Sequence, residues 1–198
     1  MPEETTLVPP IEPEKDSMTV KDFIIEVVKF TVLALVIVVP IRAFVAQPFI
    51  VSGTSMVPTF EDGQYLIVDE LSYHFREPAR GEVIIFRYPI DPSKFFIKRL
   101  IGLPGETVSI KDGAVSITLV GGKVVTLDQS YVKNPRIDSE ARTLGADEYW
   151  VMGDNRAASS DSRSWGTIKR SHIVGDALVR LLPLSTISVL PRKVTYTN

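Results

Sequence analysis

The sequence predicts a mostly β domain preceded by one N-terminal apolar helix. Apolar residues occupy 22 of the 29 positions from Phe23 to Val51. After residue 51, short runs of β-branched and aromatic residues alternate with turn signals, and no long helical pattern follows. The length of 198 residues suits one domain with a small addition. We therefore divide the chain into a tail (1–22), an apolar segment (23–47) and a β domain (48–198).

Residues 1–22 predict a disordered acidic tail. They carry six acidic residues against Lys15 and Lys21, a net charge of −4, and four prolines lie among them. A segment with this much charge and proline has too few apolar side chains to build a core. We expect no packed structure before the apolar segment.

Residues 23–47 predict a transmembrane anchor helix. The uncharged core, Phe30–Ile41, has only twelve residues, fewer than the roughly 20 that span a bilayer. Lys29 and Arg42 bracket this core, and both side chains can reach toward the membrane surfaces, which lengthens the apolar span. The alternative is an interfacial or core helix. A cleaved secretory signal is disfavoured, because the apolar run begins late and has no clean cleavage site.

The distribution of basic residues predicts the orientation of this helix. Lys15, Lys21 and Lys29 precede the apolar core, whereas Arg42 is the only basic residue on the other side until Arg76. Basic residues favour the cytoplasmic side of a membrane. We therefore expect a single-pass protein of the cell membrane, with a cytoplasmic N-terminus and an extracytoplasmic β domain. A plasma membrane and a thylakoid membrane are not distinguished by this pattern.

The β domain is predicted from short runs separated by turns. Asp112-Gly113 lies between two alternating runs and is a strong signal for a tight hairpin. The predicted strands are Tyr65–Asp69, Val83–Tyr88, Phe95–Ile101, Thr107–Ile110, Val115–Val120, Val124–Leu127, Tyr149–Met152 and Ala177–Leu182.

Composition excludes several classes of function. The chain has no cysteine, which excludes disulfide scaffolds, thiolate metal sites and a cysteine nucleophile. Two histidines, His74 and His172, are too few for a metal site built mainly on imidazole. The net charge of −2 is unsuited to a nucleic-acid binder that depends on phosphate contacts.

Three stretches differ from their surroundings and could carry chemistry. The first, residues 52–59, follows the apolar segment and presents Ser55 between a glycine and a proline. A serine in such a turn can expose its hydroxyl, with backbone N–H groups nearby to stabilise an oxyanion. Serine-glycine turns are common, so this stretch alone is weak.

The second stretch, residues 95–106, places Lys98 inside an apolar strand. Phe96, Lys98 and Leu100 share one face of that strand. One interpretation is an edge lysine that points to water and discourages aggregation. The other is a buried, neutral amine that acts as a general base, which requires about 4 kcal/mol to lower its pKa from about 10.4 to 7–8.

The third stretch, residues 152–163, is rich in serine, asparagine, aspartate and arginine. It is either a solvated loop or a buried polar network that positions a reactive group. Neither His74 nor His172 lies in a motif, so a Ser–His–Asp triad is disfavoured. A serine nucleophile in this chain would need another base, and lysine is the available one.

Together, and in this order behind an apolar segment, the three stretches resemble type I signal peptidase. The specific motifs are G-T-S-M-V-P-T, F-I-K-R-L-I-G-L-P-G-E and M-G-D-N-R-A-A-S-S-D-S-R. The resemblance covers residues 23–182. It implies a membrane-anchored serine protease with a Ser/Lys dyad on a mostly β, signal-peptidase-like catalytic fold.

The resemblance also assigns roles to individual residues. Ser55 matches the nucleophile and Lys98 the general base, while the N–H of Ser55 would support the oxyanion. Gly53 is the second residue assigned to the oxyanion site. It occupies the position where some members have an assisting serine, and as a glycine it has no side chain to donate. Supporting positions are Ser159, Asp154 with Arg99, and Asp161 with Arg163. The substrate pockets are expected to use Phe49, Val51, Met56, Phe96 and Ile97.

The implied function is removal of signal peptides from secretory preproteins after small residues, of the Ala-x-Ala type, at the outer membrane surface. The implied partners are preproteins and the lipid bilayer, with no metal, cofactor or nucleic acid. Two alternatives are a self-cleaving Ser/Lys protease of the repressor type and an inactive, membrane-anchored β-module that binds secreted proteins.

Overall fold

The computed structural model of the protein describes residues 19–40, 46–189 and 196–197. The chain forms two compact units that divide between Val39 and Pro40. The predicted tail lies outside the described residues as far as residue 18.

Helix α1 spans Val20–Pro40 and begins at a reciprocal cap. The Asp22 N–H donates to Thr19 Oγ1 at 3.3 Å, and the Thr19 N–H donates to Asp22 Oδ2 at 3.3 Å. These bonds satisfy amide groups that a helix start leaves unpaired. The large apolar side chains of α1 are exposed. Within the described ranges, no helix is both long and apolar enough to cross a membrane.

The helix differs from the predicted boundaries at both ends. It begins at Val20 because Thr19 caps it, so the last residues of the predicted tail are helical. It ends at Pro40, and Ala46–Ile50 is a strand rather than the end of a helix. That strand is antiparallel to Tyr65–Asp69, which gives its backbone groups partners in a sheet. Residues 41–45 of the predicted anchor lie outside the described residues.

The body of the protein is built from β-strands, as the sequence predicts. The strands are β1 (Ala46–Ile50), β2 (Tyr65–Asp69), β3 (Val83–Arg87), β4 (Phe95–Gly102), β5 (Thr107–Lys111), β6 (Ala114–Thr118), β7 (Val124–Leu127), β8 (Glu140–Thr143), β9 (Glu148–Met152), β10 (Ile168–Lys169), β11 (Ile173–Leu182), β12 (Ser188–Val189) and β13 (Tyr196–Thr197). A short helix, α2 (Ser162–Trp165), precedes β10.

The strands form two antiparallel sheets. The larger sheet has the order β1-β2-β11-β3-β4-β9-β10, with β12 beside β11, and the smaller has the order β13-β7-β6-β5-β8. Strand β3 is buried on both faces of the larger sheet. Val83 and Ile85 belong to one apolar cluster, and Ile84 and Phe86 belong to another, as the alternation of a strand requires.

The smaller sheet packs in a third apolar cluster, which it shares with Ile101, Trp150 and Met152 of the larger sheet, and it contains the predicted hairpin. Strands β5 and β6 pair from Thr107 opposite Thr118 to Lys111 opposite Ala114. Asp112 and Gly113 connect them with φ angles of +52° and +84°, the left-handed conformation that a tight hairpin turn needs. The hairpin prediction is confirmed.

Strand β4 carries the lysine that the sequence singles out, and its two halves have different neighbours. Along Phe95–Arg99 the strand pairs with β3, and from Arg99 onward it also pairs with β9. Arg99 lies opposite Val83 on one side and Met152 on the other. In the described structure, the edge of β4 that faces away from β3 is therefore unpaired along Phe95–Lys98.

Candidate active site

Ser55 lies in the turn that joins β1 to β2, and both ends of this turn are held in place. The Val51 N–H donates to the Gln64 carbonyl and the Gly63 N–H donates to the Val51 carbonyl, each at 2.9 Å. Met56 immediately follows the serine and is buried in the apolar cluster of the larger sheet. Ser55 itself is half-buried at the surface of this turn.

Lys98 reaches Ser55 from β4. Its Nζ lies 2.7 Å from Ser55 Oγ and donates to the Ile97 carbonyl at 2.8 Å. The lysine is 4% exposed. The water-facing edge lysine, one of the two interpretations left open by the sequence, is therefore wrong.

Burial changes the acid–base chemistry of Lys98. Desolvation lowers the pKa of its amine to about 8, while the negative charges of Asp161 and Asp154 act in the opposite direction. At pH 7, an amine of pKa near 8 is neutral in about a tenth of the molecules, against well under 0.1% for a lysine of ordinary pKa. The buried amine can therefore accept a proton near neutral pH.

Arg99, the next residue on β4, forms a bidentate ion pair with Asp154. The distances are 2.8 Å from Nε to Oδ1 and 2.6 Å from Nη2 to Oδ2. Thr59 Oγ1 donates to the same carboxylate at 2.5 Å, and Arg99 also donates to the Gly81 carbonyl at 2.8 Å. Burial lowers the pKa of Arg99, but the bonds and charge of Asp154 outweigh it and raise the pKa.

Asp161 and Arg163 form a second bidentate pair within residues 152–163. Arg163 Nε lies 2.9 Å from Oδ1 and Nη2 lies 2.8 Å from Oδ2, while the Gly153 N–H donates to Oδ2 at 3.0 Å. Burial raises the pKa of Asp161, but the bonds and charge of Arg163 outweigh it and lower the pKa overall, with smaller contributions from Gly153 and Ser159. This stretch is therefore a buried polar network and not a solvated loop.

Gly153 and Asn155 hold this network against the turn that carries Ser55. The Asn155 N–H donates to the Ser55 carbonyl at 3.0 Å, and Asn155 Nδ2 donates to the Thr54 carbonyl at 3.0 Å. A Cβ on Gly153 would lie 2.5 Å from the Ser55 carbonyl oxygen, so only glycine permits this approach. Neither residue was predicted to have a role, although both lie inside the third motif, residues 152–163.

Ser159 is not bonded to the lysine. Its hydroxyl is buried near Asp161 but makes no hydrogen bond of normal geometry with any described residue. The hydrogen-bond partners of Lys98 Nζ are Ser55 Oγ and the Ile97 carbonyl. The role assigned to Ser159 by resemblance stays a prediction.

Gly53 and Ser55 differ as oxyanion donors. The Gly53 N–H already donates to Asp62 Oδ1 at 2.7 Å, and Gly53 has a φ angle of +88°, a conformation that strains residues with a side chain. The Ser55 N–H has no acceptor within the described ranges. Of the two predicted donors, Ser55 is the one whose N–H is available.

A cleft of about 500 Å³ opens beside Ser55 and Lys98. Four of the predicted substrate-binding residues line it: Phe49, Val51, Phe96 and Ile97. Met56, the fifth, does not, because its side chain is packed in the core and is only 1% exposed. The cleft also includes Ile85 and Leu66, so its lining is mainly apolar.

The histidines lie apart from this cleft and make local contacts with the backbone. His74 Nδ1 is 3.1 Å from the Glu70 carbonyl, and His172 Nδ1 accepts the Lys169 N–H at 3.1 Å. In the part of the chain that the structure describes, no group of three or more His, Asp or Glu side chains could hold a metal ion.

Comparison with known proteins identifies the family. A family model described as signal peptidase, peptidase S26, matches residues 24–182. The chain is 36% identical over 201 aligned positions to a signal peptidase I of Leptolyngbya laminosa, covering 97% of this chain and 96% of that protein. It is 36% identical to a signal peptidase I of Bacillus licheniformis, covering 88% of this chain and 97% of that protein.

A crystal structure of a signal peptidase I from Enterococcus faecalis V583 aligns with 51% of this chain and 97% of that chain, at 29% identity and a TM-score of 0.44. The family predicted from the three motifs is confirmed by the family model and the relatives. Because that model covers most of the chain and the relatives align over nearly all of it, the chain belongs to the signal peptidase family, peptidase S26, and is a serine peptidase.

Proposed function

We propose that this protein removes signal peptides from secretory preproteins, with Ser55 as nucleophile and Lys98 as general base. The single observation that carries the proposal is the 2.7 Å contact between a half-buried serine hydroxyl and a lysine amine that is almost completely buried. A nucleophile and its base must lie within this distance for direct proton transfer. Membership of the signal peptidase family supplies the substrate class.

The proposed reaction begins with neutral Lys98, which takes the proton from Ser55 Oγ as the oxygen attacks the scissile carbonyl. The N–H of Ser55 stabilises the oxyanion of the tetrahedral intermediate. Protonated Lys98 then gives its proton to the leaving amine, which departs and leaves an acyl-enzyme. A water molecule activated by Lys98 attacks the ester, and the serine is regenerated.

The ion pairs beside the dyad hold it in place without strongly favouring the protonated form of Lys98. Asp154 and Asp161 are bound bidentately by Arg99 and Arg163. Each arginine partly cancels the charge of its carboxylate, which would otherwise stabilise the ammonium form of Lys98. We propose that Ser159 also supports Lys98, by accepting a hydrogen bond from its protonated amine.

The substrate is proposed to bind as an extended strand along the unpaired edge of β4. Residues Phe95–Lys98 pair only with β3 among the described strands, and an extended peptide can hydrogen-bond to such an edge. Alternate side chains of a bound strand point the same way. The apolar cleft beside Ser55 would therefore receive small side chains two residues apart, as in an Ala-x-Ala sequence.

We further propose that the protein acts at the outer surface of a membrane. Helix α1 exposes its apolar side chains, and water alone would not favour such a surface. The β body also has an exposed apolar band, since Ile50, Tyr65 and Leu182 lie side by side in register on neighbouring strands. Lys21 and Lys29 in α1 favour a cytoplasmic N-terminus.

The dyad is tested with the full chain in liposomes and a preprotein substrate, followed by sequencing of the new N-terminus. We expect Ser55→Ala and Lys98→Ala to abolish cleavage and the parent to cut after a small-x-small sequence. The matched control is Lys111→Ala, because Lys111 is an exposed lysine on another strand and should be dispensable. Substantial cleavage by either active-site variant would refute the dyad.

Membrane attachment is tested by extraction of cell membranes at alkaline pH and by adding protease to intact spheroplasts. We expect the protein to remain with the membranes and its β body to be digested from outside. Protection of the β body from external protease, or its release by alkali, would contradict the proposed location.

A further inference from the structure

The connection between β7 and β8, residues 128–139, reaches from the smaller sheet to the active-site network. We call this connection the strap. Three of its side chains, Gln129, Tyr131 and Asp138, contact arginines of the network. The strap lies outside the three motifs at residues 52–59, 95–106 and 152–163.

Arg156 makes two of these four contacts. It is 3% exposed, and it makes no direct ion pair within the described ranges. Its guanidinium donates to Gln129 Oε1 and, at 3.4 Å, to Tyr131 Oη. A buried cation without a carboxylate partner depends on neutral acceptors, and the strap supplies two of them.

The other two arginines are also contacted by the strap. The guanidinium of Arg99 lies 4.3 Å from the centre of the Tyr131 ring, a favourable cation–π distance. Arg163 Nη1 lies 2.6 Å from Asp138 Oδ2. Tyr131 is thus the strap residue that contacts two arginines at once, Arg99 through its ring and Arg156 through its hydroxyl.

Arg156 connects the strap to the nucleophile in two short steps. Its Nε donates to the Gly153 carbonyl at 3.1 Å, which fixes the backbone beside Asn155. The Asn155 N–H in turn donates to the Ser55 carbonyl at 3.0 Å. A shift of Arg156 would therefore be transmitted to the backbone of Ser55.

We propose that Tyr131 is a positioning residue for the peptidase reaction, which holds Arg99 and Arg156 and, through residues 153–155, keeps Ser55 aligned with Lys98. The proposal rests on the proposed roles of Ser55 and Lys98. It makes the smaller sheet a part of the catalytic apparatus, because the strap is anchored there between β7 and β8. A displacement of about 1 Å between reacting groups lowers rates by as much as about 100-fold.

The test compares Tyr131→Leu, which removes the ring and the hydroxyl, with Tyr131→Phe, which keeps the ring over Arg99. Both are made in the full chain in liposomes, and kcat and KM are measured with a preprotein. We expect Tyr131→Leu to lower kcat by about 10-fold or more with KM within about twofold, because the cleft itself is untouched. We expect Tyr131→Phe to retain at least about a third of the parent kcat.

Ile137→Ser is the matched control, because Ile137 lies on the same strap and is 84% exposed. It should leave kcat unchanged. If Tyr131→Leu does not fold, Gln129→Ala replaces it. This change removes the other strap acceptor for Arg156, together with the hydrogen bond from Gln129 Nε2 to the Gly113 carbonyl, and kcat should fall by about three- to tenfold.

Two outcomes would overturn the proposal. The first is a folded Tyr131→Leu enzyme, or in its place Gln129→Ala, with the kcat of the parent. The second is an equal loss in Tyr131→Phe and Tyr131→Leu, which would exclude the ring contact. Ser55→Ala is measured in parallel: if it still cleaves, the proposed function fails, whereas an inactive Ser55→Ala beside a fully active Tyr131→Leu refutes the positioning role alone.

Discussion

Replacing Lys98 by methionine should abolish cleavage and, at neutral pH, make the protein more stable. Lys98 is almost completely buried, and desolvation lowers the pKa of its amine to about 8 from 10.5. The folded protein therefore binds the proton of Lys98 less tightly than the unfolded chain does. At pH 7 the charged amine destabilises the fold, and methionine of similar length removes that charge.

The magnitude follows from the pKa shift. Lowering the pKa of Lys98 from 10.5 to about 8 corresponds to about 3 kcal/mol at pH 7, where the lysine of the unfolded chain is fully protonated. As the pH rises above 8, the folded-state amine loses its proton and the difference shrinks, so that about 1 kcal/mol remains at pH 9.5. The variant also loses the hydrogen bonds from Lys98 to Ser55 and Ile97. Each loss offsets the gain in unfolding free energy by about 1 kcal/mol, at every pH.

The quantity to measure is therefore the change of the stability difference with pH. Urea unfolding of parent and Lys98→Met at pH 7, 8.5 and 9.5 gives the free energy of unfolding of each. We expect the advantage of the variant to fall by about 2 kcal/mol from pH 7 to pH 9.5. The other titrating groups are common to both proteins and cancel.

Lys111→Met is the control, because Lys111 is exposed and its replacement should give a difference that does not vary with pH. If the difference for Lys98→Met is equally flat, the amine has an ordinary pKa in the folded protein. Lys98 would then be neutral in well under 0.1% of the molecules at pH 7, and the proposed general-base mechanism would be refuted.

Two further outcomes are expected. In the parent enzyme, kcat/KM should rise about tenfold from pH 7 to a plateau above pH 9, because the reactive form of Lys98 is the neutral one and its pKa is about 8; a rate independent of pH over that range would contradict this. Gly153→Ala should lower kcat by about 100-fold, since its Cβ would lie 2.5 Å from the Ser55 carbonyl oxygen. Gly145→Ala is the control and should be nearly neutral, because its Cβ would meet Glu148 at an ordinary 3.4 Å. Equal activities of the two variants would show that the turn that carries Ser55 tolerates displacement.

Much of the β body is predictable from local signals. The strands follow runs of β-branched and aromatic residues, and the hairpin at Asp112-Gly113 follows from two residues that accept a left-handed backbone. The end of the apolar helix was harder to predict from the sequence. From Ala46 the chain forms strand β1 instead of the predicted helix, because it pairs with Tyr65–Asp69. This partner lies about 20 residues further along the chain, and no local pattern encodes that pairing.

Residue types and their order in the chain determined which groups are candidates for the chemistry. The absence of cysteine and the isolation of both histidines from any motif left a serine as the available nucleophile and a lysine as the available base. The resemblance of three motifs to a known family then assigned these roles to Ser55 and Lys98. The sequence by itself allowed Lys98 to be either an exposed edge lysine or a buried base. Both interpretations fit the same alternation of apolar residues along one strand.

Only the tertiary structure decided between them, because the environment of a side chain depends on segments distant in the chain. The turn that carries Ser55 and the network at residues 153–163 enclose Lys98, and this enclosure lowers the pKa of its amine. The same packing places Met56 in the core instead of the cleft, and brings Tyr131 from the smaller sheet onto Arg99. These contacts join parts of the chain that local sequence patterns do not connect.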